Sequence, residues 1–162
     1  MRWLPVLALV GVPLPAAGQF LLVPMDRTQV NHLKAYGLTY WTLEQYGRSE
    51  WFLNYRDGSF LLPDMSANRR QAALRGVSIE PVGGADVAAI RAVITDSNME
   101  SVVLEKAPKV AIYTPPNSTP WDDAVTMALE YAEIPYEKVW DDNVIVGGLK
   151  DYEWLHLHHE DF

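Results

Sequence analysis

The chain of 162 residues contains no cysteine. Disulfides, thiolate zinc sites, a cysteine nucleophile and a lipid-modified N-terminal cysteine are therefore excluded within it. Basic residues are scarce in its last third. Residues 1–108 hold ten Lys/Arg against ten Asp/Glu, and residues 109–162 hold three against eleven, so the net charge of −8 resides in the second part. Nucleic acid is not an expected partner there, because phosphate contacts need a basic face. The chain has no Gly-x-Ser-x-Gly, no Gly-x-Gly-x-x-Gly and no phosphate-cradling loop. Internal repeats and low-complexity tracts are also absent.

A composition 49% apolar and 21% charged is that of a globular protein. The first eighteen residues read as an export signal. Arg2 supplies a positive start, residues 3–12 an apolar centre, and Ala16-Ala17-Gly18 the small residues before a cut at Gln19. The apolar run is short and broken by Pro5, Pro13 and Pro15, which disfavours a membrane span. An uncleaved N-terminal anchor is the alternative. Either places the mature part in the periplasm or outside the cell, with no stable membrane insertion once the signal is cut.

Residues 20–25 read as a strand. Asp26 with Gln29 three residues on has the spacing of a capping box, predicting a helix to Tyr46 that stops at Gly47. Val30, Leu33, Gly37, Tyr40 and Trp41 share its apolar face at helical spacing. Gly37 in mid-helix costs about 1 kcal/mol relative to alanine. Either a close backbone approach accounts for it or the helix simply tolerates it. Residues 50–55 and 59–62 predict a hairpin around Asp57-Gly58. Asp64 predicts a cap for a helix ending at Gly76. A strand over 77–82, a small helix over 85–94 and a strand over 101–104 follow.

At Pro108 composition and charge change and the pattern restarts. The division is thus a signal at 1–18, an α/β segment at 19–107 and the first half of an open α/β domain at 108–162. The second part reads as strand (109–114), acidic helix (120–133), strand (134–140) and strand (152–158). Thr119 suits a cap and Pro120 the first helical turn, with Trp121, Val125, Ala128, Leu129 and Ala132 as the buried stripe. Asp122, Asp123, Glu130 and Glu133 read as surface and capping charges. The expected fold is α/β: a mainly parallel sheet flanked by helices, stopping short at the C-terminus, preceded by a smaller α/β segment.

Ligands of open α/β sheets bind beyond the carboxyl ends of the strands. That rule selects Thr114 and Asn117 after one strand and the run from His156 to Asp161 after another. His156, His158, His159 and Glu160 are candidates for acid–base work. His156, His158, Glu160 and Asp161 are candidate metal ligands, although their spacing matches no established metal motif. Asn54, Tyr55 and Arg56, before a tight turn, form a second candidate set, where an arginine fork suits a carboxylate or phosphate. No cofactor can be assigned from these residues. A small-molecule ligand is the expected partner.

Four stretches carry a family resemblance. They are His32-Leu33-Lys34-Ala35-Tyr36-Gly37, Trp51-Phe52-Leu53-Asn54-Tyr55-Arg56-Asp57-Gly58-Ser59-Phe60, Val103-Leu104-Glu105-Lys106-Ala107-Pro108, and residues 152–162 with His158-His159-Glu160-Asp161-Phe162. The chain resembles a family of exported bacterial proteins labelled asparagine synthetase B, over nearly all of its mature length. Those relatives continue past Phe162, so the resemblance implies an N-terminal part. Residues 108–162 are similar in pattern to the start of class I glutamine amidotransferase-like domains. There the nucleophile elbow follows a third strand, which implies that this chain lacks the nucleophile. Glutamine-dependent asparagine synthetases carry an N-terminal cysteine and a Ser-Gly-Gly-x-Asp-Ser loop, and this chain has neither. The resemblance thus implies an exported amidotransferase-like protein without independent catalysis. A non-enzymatic module binding a small molecule, peptide or glycan is the alternative, and a metal-dependent hydrolase a third.

Overall fold

A computed structural model describes residues 19–158. The expected signal at 1–18, and His159, Glu160 and Asp161 of the expected site, lie outside the described residues. The first unit runs β1 (Phe20–Val23), α1 (His32–Tyr46), β2 (Ser49–Phe52), β3 (Phe60–Pro63), α2 (Ser66–Arg75), β4 (Glu80–Val82), α3 (Gly84–Asp96) and β5 (Ser101–Leu104). Its five strands lie in the order β4-β1-β3-β2-β5, and every pairing is antiparallel. The second unit runs β6 (Val110–Tyr113), α4 (Ala124–Ala132), β7 (Glu137–Val139), α5 (Asp141–Ile145) and β8 (Trp154–Leu157). Its three strands lie in the order β7-β6-β8, and both pairings are parallel.

The main sheet is therefore antiparallel, which corrects the expectation of a mainly parallel one. The first unit has the larger sheet, not the smaller. Both crossovers, β1-α1-β2 and β3-α2-β4, leave a one-strand gap, and each gap is filled by a strand of the other. This is the split βαβ, ferredoxin-like arrangement, extended by α3 and β5. The misleading signal is physical. Leu21 and Val23 pack with Phe60 and Leu62 against Ala35, Leu38 and Ala72 of α1 and α2. Leu22 and Leu61 pack on the opposite face, against Val87, Ile90 and Ile94 of α3. With both faces covered, β1 and β3 become continuous apolar runs, the pattern usual for parallel strands.

Local start and stop signals fared unevenly. Gly47 and Gly76 end α1 and α2 in the left-handed conformation, at φ 67° and 64°. The cap of α1 is Asn31, not Asp26; its side chain accepts from Lys34 N at 3.2 Å. Asp26 instead opens a turn, accepting from the Thr28 amide at 3.0 Å. The buried residues of α1 are Ala35, Gly37, Leu38, Thr39, Thr42 and Leu43, so of the expected face only Gly37 is buried and Val30 is 81% exposed. No helix among the described residues is long and apolar enough to cross a membrane.

The two units meet where α1 crosses α4. A Cβ placed on Gly37 would lie 1.8 Å from the Ala132 carbonyl oxygen, so the two backbones touch. The mid-helix glycine thus marks a close approach, here to the last turn of a second helix. That turn presents carbonyls with no partner inside α4 and the negative end of its dipole. Arg75 Nη1 donates to Ala132 O at 3.3 Å and pairs with Glu133 at 3.0 Å. Lys34 Nζ pairs with Glu133 at 2.6 Å and lies 5.0 Å from the Tyr131 ring centroid. Asn31 Nδ2 donates to Tyr131 Oη at 2.7 Å, and Tyr40 Oη donates to Pro108 O at 2.7 Å.

Two glycine substitutions separate this contact from ordinary backbone preference. Gly37→Ala should cost about 3 kcal/mol or more, because the added methyl meets main chain that cannot step aside. Gly76→Ala, whose Cβ meets nothing within 4 Å, should cost only about 1 kcal/mol for its positive φ. Urea denaturation measures both. Equal losses would show that α1 and α4 are not in backbone contact.

Candidate functional site

The order β7-β6-β8 places the first strand of the second unit in the middle. The chain leaves β6 on one side and returns as β8 on the other, so a crevice forms beyond the carboxyl ends of these two strands. Thr114, directly after β6, is buried. Its amide donates to Val139 O at 3.1 Å and its hydroxyl to Ser118 Oγ at 2.8 Å. The Lys138 ammonium donates to the Ser118 carbonyl. Thr119 then opens a 3-10 turn at Pro120–Asp122, donating its amide to Asp122 Oδ2 at 2.9 Å and its hydroxyl at 2.6 Å.

Asp123 is the residue on which this edge converges. It is the true cap of α4, accepting from the Thr126 amide at 2.9 Å and the Thr126 hydroxyl at 3.2 Å. Its Oδ1 also lies 3.0 Å from His156 Nε2 on β8. Burial pushes the Asp123 carboxyl up, but the Thr126 amide, the His156 bond and the Thr126 hydroxyl outweigh it and hold the pKa at about 2. The carboxylate is therefore ionised, and the imidazole nitrogen facing it carries the proton. In the neutral ring Nδ1 is then the acceptor. A carboxylate in this position fixes the imidazole tautomer and ties β8 to the start of α4.

His158 continues from β8, its amide donating to Tyr113 O at 3.1 Å and its side chain buried. Tyr113 stacks on Trp140 at 4.9 Å between centroids and donates its hydroxyl to Asp141 at 2.6 Å. That bond pushes the Tyr113 phenol up. Thr114, His156 and His158 are thus brought to one edge, and Asn117 lies exposed in the loop between Thr114 and Ser118. Ser118 joins them, as does Asp123, which the sequence offered only as a surface or capping charge. Trp121, expected in the buried stripe of α4, is 74% exposed on the adjoining turn.

Asn54, Tyr55 and Arg56 belong to the other sheet. Arg56, at φ 49°, donates to Asp26 at 2.6 Å, Glu80 at 2.7 Å and the Thr28 hydroxyl at 2.9 Å. The guanidinium holds the Asp26 carboxyl well below the usual carboxylate range, and Asp26 with Glu80 drives Arg56 further up. Its fork is taken up inside the chain, tying the turn between β2 and β3 to Asp26, Thr28 and Glu80. Tyr55 packs edge-on against Phe52 at 6.1 Å. No group of three or more His, Asp or Glu among the described residues is placed to hold a metal ion. Compared with known proteins, the chain matches no family model, no curated protein and no solved structure.

The charge state of Asp123 gives a pH signature. Its folded pKa lies below the ordinary 3.8, so its contribution to stability is present above about pH 4 and is lost as pH falls towards 2. Asp123→Asn keeps a capping side chain but no charge, whereas Asp123→Ala removes the cap as well, for about 1 kcal/mol more. The stability gap between wild type and Asp123→Asn should narrow between pH 4 and pH 2. A gap that stays constant over that window, in urea midpoints, would show that Asp123 carries no charge-dependent contact.

Proposed function

We propose that this is an exported protein of the family labelled asparagine synthetase B. Its second unit opens an amidotransferase-like α/β domain and holds a small-molecule ligand at the carboxyl ends of β6 and β8. One observation carries the reading: the Asp123–His156 pair sits with Thr114, Ser118 and His158 where an open parallel sheet of this order leaves its crevice. By the resemblance the ligand is a small amide or amino acid. Thr114 and Ser118 supply hydroxyls for an amide group, and the oriented His156 ring supplies one acceptor nitrogen.

Turnover to asparagine is not part of the proposal. The chain has neither the cysteine nor the Ser-Gly-Gly-x-Asp-Ser loop that this synthesis uses in glutamine-dependent enzymes. A second reading, non-enzymatic binding of a peptide or glycan, is favoured by the exposed Trp121 indole on the loop between β6 and α4.

Calorimetric titration with glutamine and with asparagine should show saturable binding that His156→Ala abolishes. Binding of neither amide would remove the amidotransferase-like reading. Retention of full affinity in the variant would move the site elsewhere. With aspartate, ATP and glutamine the protein should form no asparagine above a heat-killed control, and any such turnover defeats the proposal. When the gene is expressed with its leader, mass spectrometry of the exported fraction should find a chain starting at Gln19. Recovery only with residues 1–18 attached, in the membrane fraction, would favour the anchor.

A further inference from the structure

The cut proposed above falls between Gly18 and Gln19, and Gln19 stands exposed one position before β1. Its main-chain carbonyl is in use. The Asp64 amide donates to it at 3.2 Å, one step beyond the Phe20–Pro63 pair that ends the β1–β3 ladder. Its other polar groups are not. Among the described residues neither the Gln19 amide nitrogen nor its side-chain amide has a hydrogen-bond partner. The side-chain oxygen lies beside Gly84 at the start of α3, 3.4 Å from where a Cβ would stand. Gln29 shows the opposite state: it is buried, and its amide donates to Pro24 O at 2.8 Å and accepts from Ser78 N at 2.9 Å.

Removal of residues 1–18 turns the Gln19 nitrogen from an amide into a primary amine. An α-amine has an ordinary pKa of about 8, so part of it is neutral and nucleophilic at neutral pH. That nitrogen and Cδ of the same side chain have the spacing that closes a five-membered ring. Attack within one residue needs no second molecule brought into position. We propose that the exported chain carries pyroglutamate at position 19, an inference that rests on the cut at Gln19. The α-nitrogen bonds to Cδ and the Cδ–Nε2 bond breaks. Nε2 leaves as ammonia, taking the proton that the amine gives up. No oxidant, reductant or other reactant takes part.

Ring closure consumes only the two groups that have no partner, and it leaves the carbonyl that receives the Asp64 amide. The lactam therefore forms without breaking a contact of the fold. It also removes the free amine by which an aminopeptidase holds a chain end. An uncyclised Gln19, being exposed, is open to trimming. Trimming would take away the carbonyl bonded to Asp64, at the foot of the strand that pairs with both β3 and β4. The lactam is thus a covalent cap on the open end of β1, and it makes the chain one charge more negative.

The intact mass of the exported chain should equal that of residues 19–162 less one ammonia. Its N-terminus should resist stepwise degradation until pyroglutamyl aminopeptidase, acting on the denatured chain, exposes Phe20. Gln19→Ala, exported in the same way, should keep a free amine and lose its first residue to a broad-specificity aminopeptidase under conditions that leave wild type unchanged. A wild-type chain that starts at Gln19 and keeps its amine and full mass through prolonged incubation at neutral pH would overturn the proposal while leaving the cut intact. A first residue other than Gln19 would defeat the cut itself, and the inference with it. Equal trimming of wild type and Gln19→Ala would overturn the capping role.

Discussion

The contact on which the rest depends is the meeting of Gly37 with the Ala132 carbonyl. A helix crossing this close is possible only where no Cβ intervenes, and the approach sets how the five-stranded and three-stranded sheets stand to each other. The contact also creates a problem. It presses the carbonyl end of α4, which is polar and electronegative, against another helix. Arg75, Lys34 and Asn31 solve it by supplying donors and positive charge from the first unit. A glycine of apparently poor helical propensity and two basic residues scattered through the sequence thus serve one junction.

At the other end of α4, one carboxylate performs two tasks. Asp123 satisfies the first amides of the helix and fixes the His156 imidazole on β8. Helix position and ring orientation are therefore coupled, so a change that tilts α4 reaches the carboxyl edge without touching a residue of it. Because α4 also carries Ala132, the junction and the site are the two ends of one nine-residue rod.

Sequence reading reached the features set by neighbours in the chain. The left-handed ends at Gly47 and Gly76, the hairpin between β2 and β3, and the strand at 101–104 are all local, and all were legible. Gly37 was legible as an anomaly, but not its partner 95 positions later, Ala132. The direction of the main sheet was not legible, because strands covered on both faces lose the alternation that marks antiparallel pairing. Asp26 and Asp123 show the ambiguity of carboxylates near helix starts. The first has capping-box spacing yet serves Arg56, while the second caps and also serves His156. Neither long-range partner leaves a trace at the position itself.

The interleaving of the two crossovers also orders events as the chain is made. β1 emerges first, yet it stands between β3 and β4, with Phe20 opposite Pro63 and Leu22 opposite Glu80. This apolar strand therefore waits for β3 before any of its backbone is paired within the sheet, and for β4 before both of its edges are. Such sequence-distant pairing is slow and leaves sticky surface open in the interval. During synthesis, Leu21, Leu22 and Val23 are a natural hold for a chaperone, and truncation before β4 leaves one edge of that strand permanently open.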